Sequence, residues 1–318
     1  MRTAAKAALA RLADRTGFLR RRLAGRLLVL TFHRVRPDGE SPDGRPMRNL
    51  EVPVRAFRDL LLWMRRRADP VALGDWFPGE GNSPAEGGGG LPAMRRRLPC
   101  FAVTFDDGWA DNALHAAPVL EELRIPATVF LATGAIEKRT PFWWQVHGLS
   151  DAAIESMKAL SPGQLEQLVR KAPSGVREAC AREFLDWRQV REMSKSGLVR
   201  FGLHGHRHAL MTSLSHTAAL DDVCRCRAIL QAHVPEALVP FFAWPNGNVR
   251  ADLAPALESL GLRAAFGTRP GMVAPGPVRA VNRWCLPRNN VDRHLAETPA
   301  LWPWLLAKAA LPRPEARI

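Results

Sequence analysis

The sequence predicts an α/β protein, a distorted (β/α) barrel of about seven parallel strands in the TIM-like manner. Two observations carry this. From residue 100 onward, short apolar runs alternate with segments of helical period, the pattern of a parallel sheet wound by right-handed crossovers. Four polar clusters, His33, Asp106 with Asp107, 204–208 and Pro245–Gly247, each fall just past the C-terminal end of an expected strand. In a barrel those ends share one rim, where the reacting loops gather. The alternation also allows an open, doubly wound sheet. No repeat of solenoid type is present.

Taken in order, residues 1–25 are alanine-rich and basic, and predict one amphipathic helix with Leu9, Leu12, Leu19 and Leu23 on one side. Such a helix can lie on a membrane or cap the protein's own core. The run L-L-V-L-T-F at 27–32 fits a buried strand ending at His33, and prolines and glycines across 37–46 make a loop. Phe57, Leu60, Leu61 and Met64 are spaced for a helix over 54–67. The glycine-rich stretch 79–90 lacks the Lys-Ser/Thr of a phosphate-binding loop and reads as a surface loop.

Strands follow at 100–105, 127–132, 199–203, 239–244 and 263–267, with helices at 111–124, 187–196, 214–233 and 251–260. Residues 138–186 form an irregular, partly helical insertion. The main domain therefore spans 26–290, and a tail at 291–318 places Trp302 and Trp304 beside a leucine stretch. Tryptophans there suit either packing on the barrel or a membrane interface.

With 47% apolar residues in 318, a sizeable core is expected and global disorder is not. The net charge of +14 is largely arginine, in runs such as 20–22, 65–67 and 95–97. It suits polyanions or anionic membranes, or simply a solvated surface; with no recognised module, nucleic acid is not an expected partner. Five cysteines without a C-x-x-C motif give neither a disulfide framework nor a zinc knuckle, and a reducing compartment is expected. With no signal-peptide core visible, the expected location is the cytoplasm, with peripheral contact at the inner membrane.

The chemistry concentrates in two motifs. Adjacent aspartates on a strand face opposite ways, but a turn at Gly108 lets Asp106 and Asp107 approach one centre. Alone, D-D-G is ordinary turn chemistry. His204 and His208 stand at i and i+4, so on a helical turn their rings share a face and can grip one ion, while His206 faces away. A histidine pair at this spacing is also common in cores and on surfaces. Combined with a carboxylate and an open position, it describes a hydrolytic metal site of zinc-like ligand type.

These residues resemble a family, the polysaccharide deacetylases with a NodB-homology domain, over about residues 26–290. Its first motif stands complete as T-F-D-D-G at 104–108. Its second matches as H-G-H-R-H at 204–208, with Gly205 where Ser or Thr is usual. Its third is similar to F-A-W-P-N-G at 242–247, the form of an exopolysaccharide branch, with Ala243 replacing the commoner arginine. The L-x-x-H motif usual near the C-terminus is replaced by L-P-R-N at 286–289, whereas L-T-F-H occurs at 30–33, as in a circular permutation.

The resemblance implies Asp107, His204 and His208 as ligands of a divalent metal, zinc first, Asp106 as general base and His33 as acid. Arg288 becomes the candidate for orienting Asp106. Trp244, Asn246, Arg288 and Trp109 are expected on the oxyanion and substrate side, and Phe142, Trp143 and Trp144 form a sugar platform or a buried cluster. The implied reaction hydrolyses the N-acetyl group of an N-acetylglucosamine-like sugar in a surface polysaccharide or its precursor, releasing acetate. The competing reading is a catalytically degenerate barrel that binds glycan or scaffolds at a membrane.

Overall fold

In the computed structural model, which describes residues 2–40, 47–77, 98–274 and 283–310, the apolar runs become strands, those at Leu27–Phe32, Cys100–Phe105 and Ala127–Leu131 buried along their whole length. The glycine-rich stretch 79–90 and residues 41–46 of the first loop lie outside the described residues. The strands are β1 (Leu27–Phe32), β2 (Arg34–Arg36), β3 (Glu51–Pro53), β4 (Asp69–Pro70) and β5 (Cys100–Phe105). They continue with β6 (Ala127–Leu131), β7 (Val199–Leu203), β8 (Leu238–Ala243), β9 (Ala264–Phe266) and β10 (Asn289–Asn290). Seven run parallel in the order β10-β1-β5-β6-β7-β8-β9, with β4 beside β5 and a separate β2–β3 pair.

The sheet curls into a half-barrel, and residues 286–290 tie its two edges. Leu286 bridges Phe266 of β9, while Asn289 pairs with Leu30 of β1. The backbone bonds Leu286 N–H to Ala265 O (2.8 Å) and Gly267 N–H to Leu286 O (2.9 Å) hold that tie. The expected α/β barrel is thus found, more open than a full TIM barrel.

Side chains alternate between two cores, as strand geometry requires. Leu28, Leu30 and Phe32 of β1, Phe101, Val103 and Phe105 of β5, and Phe201 and Leu203 of β7 join the outer core under the helices. Leu27 and Val29, Cys100 and Ala102, Phe130, Phe241 and Ala243 fill the inside of the curl. Continuing the same parity past each strand turns His33, Asp106 and His204 inward and Trp244 outward. The alternation that builds the core therefore also aims the site.

The N-terminal region differs from the expected single helix. Gly17, at φ +70°, separates helix Arg2–Arg15 from helix Phe18–Arg22. The first helix buries Ala7, Ala10 and Asp14 and packs against the C-terminal helix Trp302–Ala310. Small alanines let the backbones approach closely, so Leu9 and Leu12 point outward, 69% and 61% exposed; of the expected leucine stripe only Leu19 and Leu23 are buried. Asp14 pairs with Arg67 at 2.8 Å, and Trp302 meets Trp63 edge-on at 5.8 Å. Among the described residues no helix is long and apolar enough to cross a membrane. All five cysteines are free.

Candidate active site

The D-D-G motif leaves β5 through left-handed backbone. Asp106, just past the strand, still continues its ladder, its N–H donating to Phe32 O at 3.1 Å. Asp107 (φ +76°) and Gly108 (φ +91°) then turn the chain, so that both carboxylates reach the same space. Aspartate is among the few side chains that tolerate this conformation. At Gly108 a Cβ would lie 2.8 Å from the Leu131 side chain on backbone at φ +91°, so any larger residue is strained there.

Asp107 Oδ1 is 3.4 Å from His204 Nε2 and 3.2 Å from His208 Nε2, and the three ligand atoms all lie within 4.8 Å of one another. Two ligands at about 2.0–2.1 Å from a tetrahedral ion stand roughly 3.3 Å apart, so the spacing fits a small divalent cation. The tautomer of His204 agrees. His204 Nδ1 lies 2.8 Å from Ala243 O and donates to it, which leaves the Nε2 lone pair facing Asp107. Asp107 Oδ2 accepts from Trp109 Nε1–H at 2.9 Å, which fixes the carboxylate.

The two histidines do not share a helical face, as i, i+4 spacing predicts; they are joined by a loop. Gly205 (φ +77°) and His208 (φ +52°) are both left-handed. Asp222, buried on helix His216–His233, holds this loop: one oxygen accepts from His206 N–H (2.7 Å), the other from Arg207 N–H (3.2 Å) and Arg207 Nε (2.9 Å). A Cβ at Gly205 would stand 2.7 Å from that Asp222 oxygen, which explains why glycine occupies the position where the resembling family has Ser or Thr. His206 faces away, to the Thr133 hydroxyl at 3.0 Å.

Arg288, in the segment that ties the barrel, is fully buried and grips Asp106 with both prongs, Nη1–Oδ1 2.6 Å and Nη2–Oδ2 2.7 Å. Its Nε donates to Gly267 O at 3.0 Å, and its guanidinium lies 5.5 Å from the Phe130 ring. The arginine missing at Ala243 is thus supplied from another part of the chain.

Electrostatics follow from this packing. Burial would raise both carboxyls, but Arg288 and then His204 hold Asp106 below the ordinary carboxylate range. At Asp107 burial also works upward, yet the adjacent His204 and His208 imidazoles outweigh it and hold the carboxyl further down. At His204 burial works downward, yet Asp106 and Asp107 leave it above the ordinary imidazole range. At His33 burial prevails over the pull of Asp107 and Asp106 and lowers the imidazole.

His33 lines the same cavity as Asp106, Asp107, His204 and His208. Its backbone O accepts from Asn112 Nδ2 at 2.9 Å, and the next residue, Arg34, pairs with buried Asp111 at 2.8 Å and with Glu183. His33 Nδ1 and His208 Nδ1 are buried without a hydrogen-bond partner among the described residues.

The expected substrate-side residues divide. Asn246 lines the cavity, its Oδ1 accepting from Lys158 Nζ at 2.7 Å. Trp244 does not: its ring is fully buried in the outer core against Phe242, and its Nε1–H donates to Trp284 O at 2.7 Å. Strand parity, read one residue past β8, sends it there. Trp109 borders the cavity but offers no free face to a sugar, being stacked on Phe184 at 4.6 Å with the Arg34 guanidinium 4.3 Å from its ring. It holds Asp107 instead. Arg288 touches Asp106 and does not line the cavity. Phe142 is buried beneath His208, while Trp143 and Trp144 are half-buried in the cavity wall.

Sequence reasoning missed Asp222, Asp111 and Asn112. Asp222 did leave a signal: it stands among Ala219, Val223, Cys226 and Leu230 on the buried stripe of its helix, where a lone carboxylate requires partners.

A family model described as polysaccharide deacetylase matches residues 94–265. No curated protein matches the sequence. Among solved structures, the chain is similar to the deacetylase PplD of Streptococcus pyogenes, determined in complex with acetate, at 17% identity and TM-score 0.60, covering 90% of this chain and 99% of that one. It is similar to IcaB from Ammonifex degensii at 22% identity and TM-score 0.56, covering 90% and 97%. It is also similar to the BpsB deacetylase domain from Bordetella bronchiseptica at 19% identity and TM-score 0.53, covering 86% and 98%. At these identities the likeness establishes the fold.

Proposed function

The chain belongs to the polysaccharide deacetylase family, a family of hydrolases, and on that premise we propose that it removes N-acetyl groups from an N-acetylglucosamine-like sugar of a bacterial surface polysaccharide or its precursor. Acetate and a free sugar amine are the products. The observation that carries this reading is convergence. One carboxylate and two imidazoles meet within 4.8 Å, beside a second carboxylate, on the wall of a cavity of about 800 Å³.

Asp107, His204 and His208 would hold a divalent ion, zinc first by ligand type. When bound, such an ion lowers the pKa of a water towards ~7 and polarises a carbonyl oxygen. The side chains do the rest. Asp106, oriented by the Arg288 fork, accepts the proton of the water that adds to the amide carbon. In the turn at Pro245–Gly247, Trp244 N–H is bound to Phe266 O and Gly247 N–H to Trp244 O, so Asn246 supplies the remaining amide for the developing oxyanion. A donor of this kind contributes about 3 kcal/mol. As the C–N bond breaks, His33 in its protonated form passes that proton to the leaving amine and is left as the neutral imidazole that burial favours.

The test is acetate release from N-acetylglucosamine oligomers and from lipid-linked N-acetylated sugars by zinc-loaded protein. Turnover lost in Asp107→Ala supports the reading; wild type and variant equally inert on all substrates would end it.

We also propose peripheral contact with an anionic membrane through the N-terminal helices. Leu9, Leu12 and Phe18, the last 56% exposed, stand among exposed Arg11, Arg15, Arg21 and Arg22. Apolar side chains beside arginines suit the headgroup boundary. The tail contributes little, since Trp302, Leu305 and Leu306 are buried.

A further inference from the structure

The cavity above the candidate site, about 800 Å³, extends well beyond what one sugar ring needs, and part of its wall is aliphatic. Helix Pro162–Lys171 crosses that wall with an apolar stripe, Leu165, Leu168 and Val169, at helical spacing. None of its residues is buried, although a helix packed on a core would bury that stripe. Leu165 and Val169 instead face the cavity, joined there by Ile154, Met47 and Leu50. Sugar hydroxyls need hydrogen-bonding partners or aromatic faces, and Leu165, Val169 and Ile154 supply neither, although Glu166 and Arg170 of the same helix also line the cavity.

Two cations stand between the catalytic cluster and the stripe. Lys158 reaches Asn246 at 2.7 Å, pairs with Glu155 at 2.5 Å, and sits on the same segment as Ile154. Arg207 is next to His208 and lies 3.7 Å from Glu166, the neighbour of Leu165. From the site outward the wall therefore presents hydrolytic residues, then positive charge, then hydrocarbon. We infer that the substrate has the same order: an N-acetylated sugar joined through phosphate to a hydrocarbon chain, rather than a long polysaccharide strand. The inference rests on the deacetylase reading, since it names the substrate class for that same site. The sugar acetamide meets Asp106 and the Asp107 cluster, the phosphate meets Lys158 and Arg207, and the chain lies along Leu165 and Val169.

The experiment compares citronellyl and methyl esters of N-acetylglucosaminyl phosphate, with the N-acetylglucosamine tetramer, on zinc-loaded full-length protein. Acetate release gives kcat/KM, and quenching of tryptophan fluorescence gives Kd independently of turnover. The citronellyl ester is expected to exceed both others by at least about tenfold, equivalent to 1.4 kcal/mol and so to about two buried methylene groups. In Leu165→Gln/Val169→Gln the citronellyl-to-methyl ratio should fall towards one, while Leu165→Met retains it. Neither position is buried, so the double variant is expected to fold. A tetramer turned over faster than the citronellyl ester, or a ratio unchanged in the double variant, overturns the proposal. Absence of turnover on all three sinks the deacetylase reading, and the Kd ratio then decides this one: tenfold tighter binding of the citronellyl ester upholds the hydrocarbon wall, equal binding removes it.

Discussion

Arg288 and Asp106, 182 residues apart, form a forked ion pair with both oxygens engaged at 2.6 and 2.7 Å. The pair is sealed in the protein, where a lone carboxylate would be costly. Arg288→Met should therefore destabilise the fold by about 3–5 kcal/mol, because it strands a buried charge. Arg288→Lys keeps the charge but not the fork, and an intermediate loss of kcat is expected. Asp106 is now held below the ordinary carboxylate range, so its contribution to stability is present above that range and is lost only as pH falls below it. Without Arg288 its pKa rises, and the acid limb of kcat/KM against pH should move to higher pH. An acid limb in the same place would detach Arg288 from Asp106.

Trp109→Phe tests the indole N–H apart from the ring. The stack on Phe184 survives, but the 2.9 Å bond to Asp107 does not. Losing such a support to a metal ligand typically costs 10–100-fold in affinity. Zinc titration against a chelator of known affinity should show that loss with little change in the melting temperature of the zinc-free protein.

Gly205→Ser restores the residue usual in the family, yet it should harm this protein. Its Cβ would stand 2.7 Å from Asp222 on a backbone at φ +77°. Left-handed strain costs of order 1–3 kcal/mol, and displacing Asp222 frees the loop that carries His208. Chemical denaturation and zinc affinity should both worsen. Wild-type values for both would mean that Asp222 does not hold the loop.

Metal and protons should compete for His204. In the metal-free protein its pKa is raised by Asp106 and Asp107, so the stability it contributes is full below the ordinary imidazole range and fades as pH rises through the higher folded value. An ion requires the neutral ring, so its affinity grows over the same rise. At a fixed zinc concentration the stability gained from zinc, followed by the melting temperature, should increase with pH, and it amounts to about 2.7 kcal/mol where zinc stands at a hundredfold excess over Kd. Asp107→Ala should abolish the gain.

Liposome flotation checks the N-terminal helices. Leu9→Glu/Leu12→Glu alters only outward positions, so activity on soluble substrate should persist while recovery with anionic vesicles falls at least tenfold. Equal recovery of wild type and variant would retire the membrane contact.

The sequence by itself determined the six strands β1 and β5 to β9, their order of appearance and the clusters that end them, while the short strands β2, β3, β4 and β10 left no apolar run to read. Those features are local: burial on both faces makes an apolar run, and alternation along β1, β5 and β7 aims His33, Asp106 and His204 into one mouth. The same alternation places Trp244 in the core, a local signal that motif matching overrides. What only the tertiary structure decided were the meetings of distant segments: Arg288 on Asp106, Asp222 beneath the histidine loop, and alanines rather than leucines turned towards the C-terminal helix. No periodicity encodes these, because each depends on how closely two backbones approach once the sheet has curled. A buried charge finds its partner across that gap, whatever the distance along the chain.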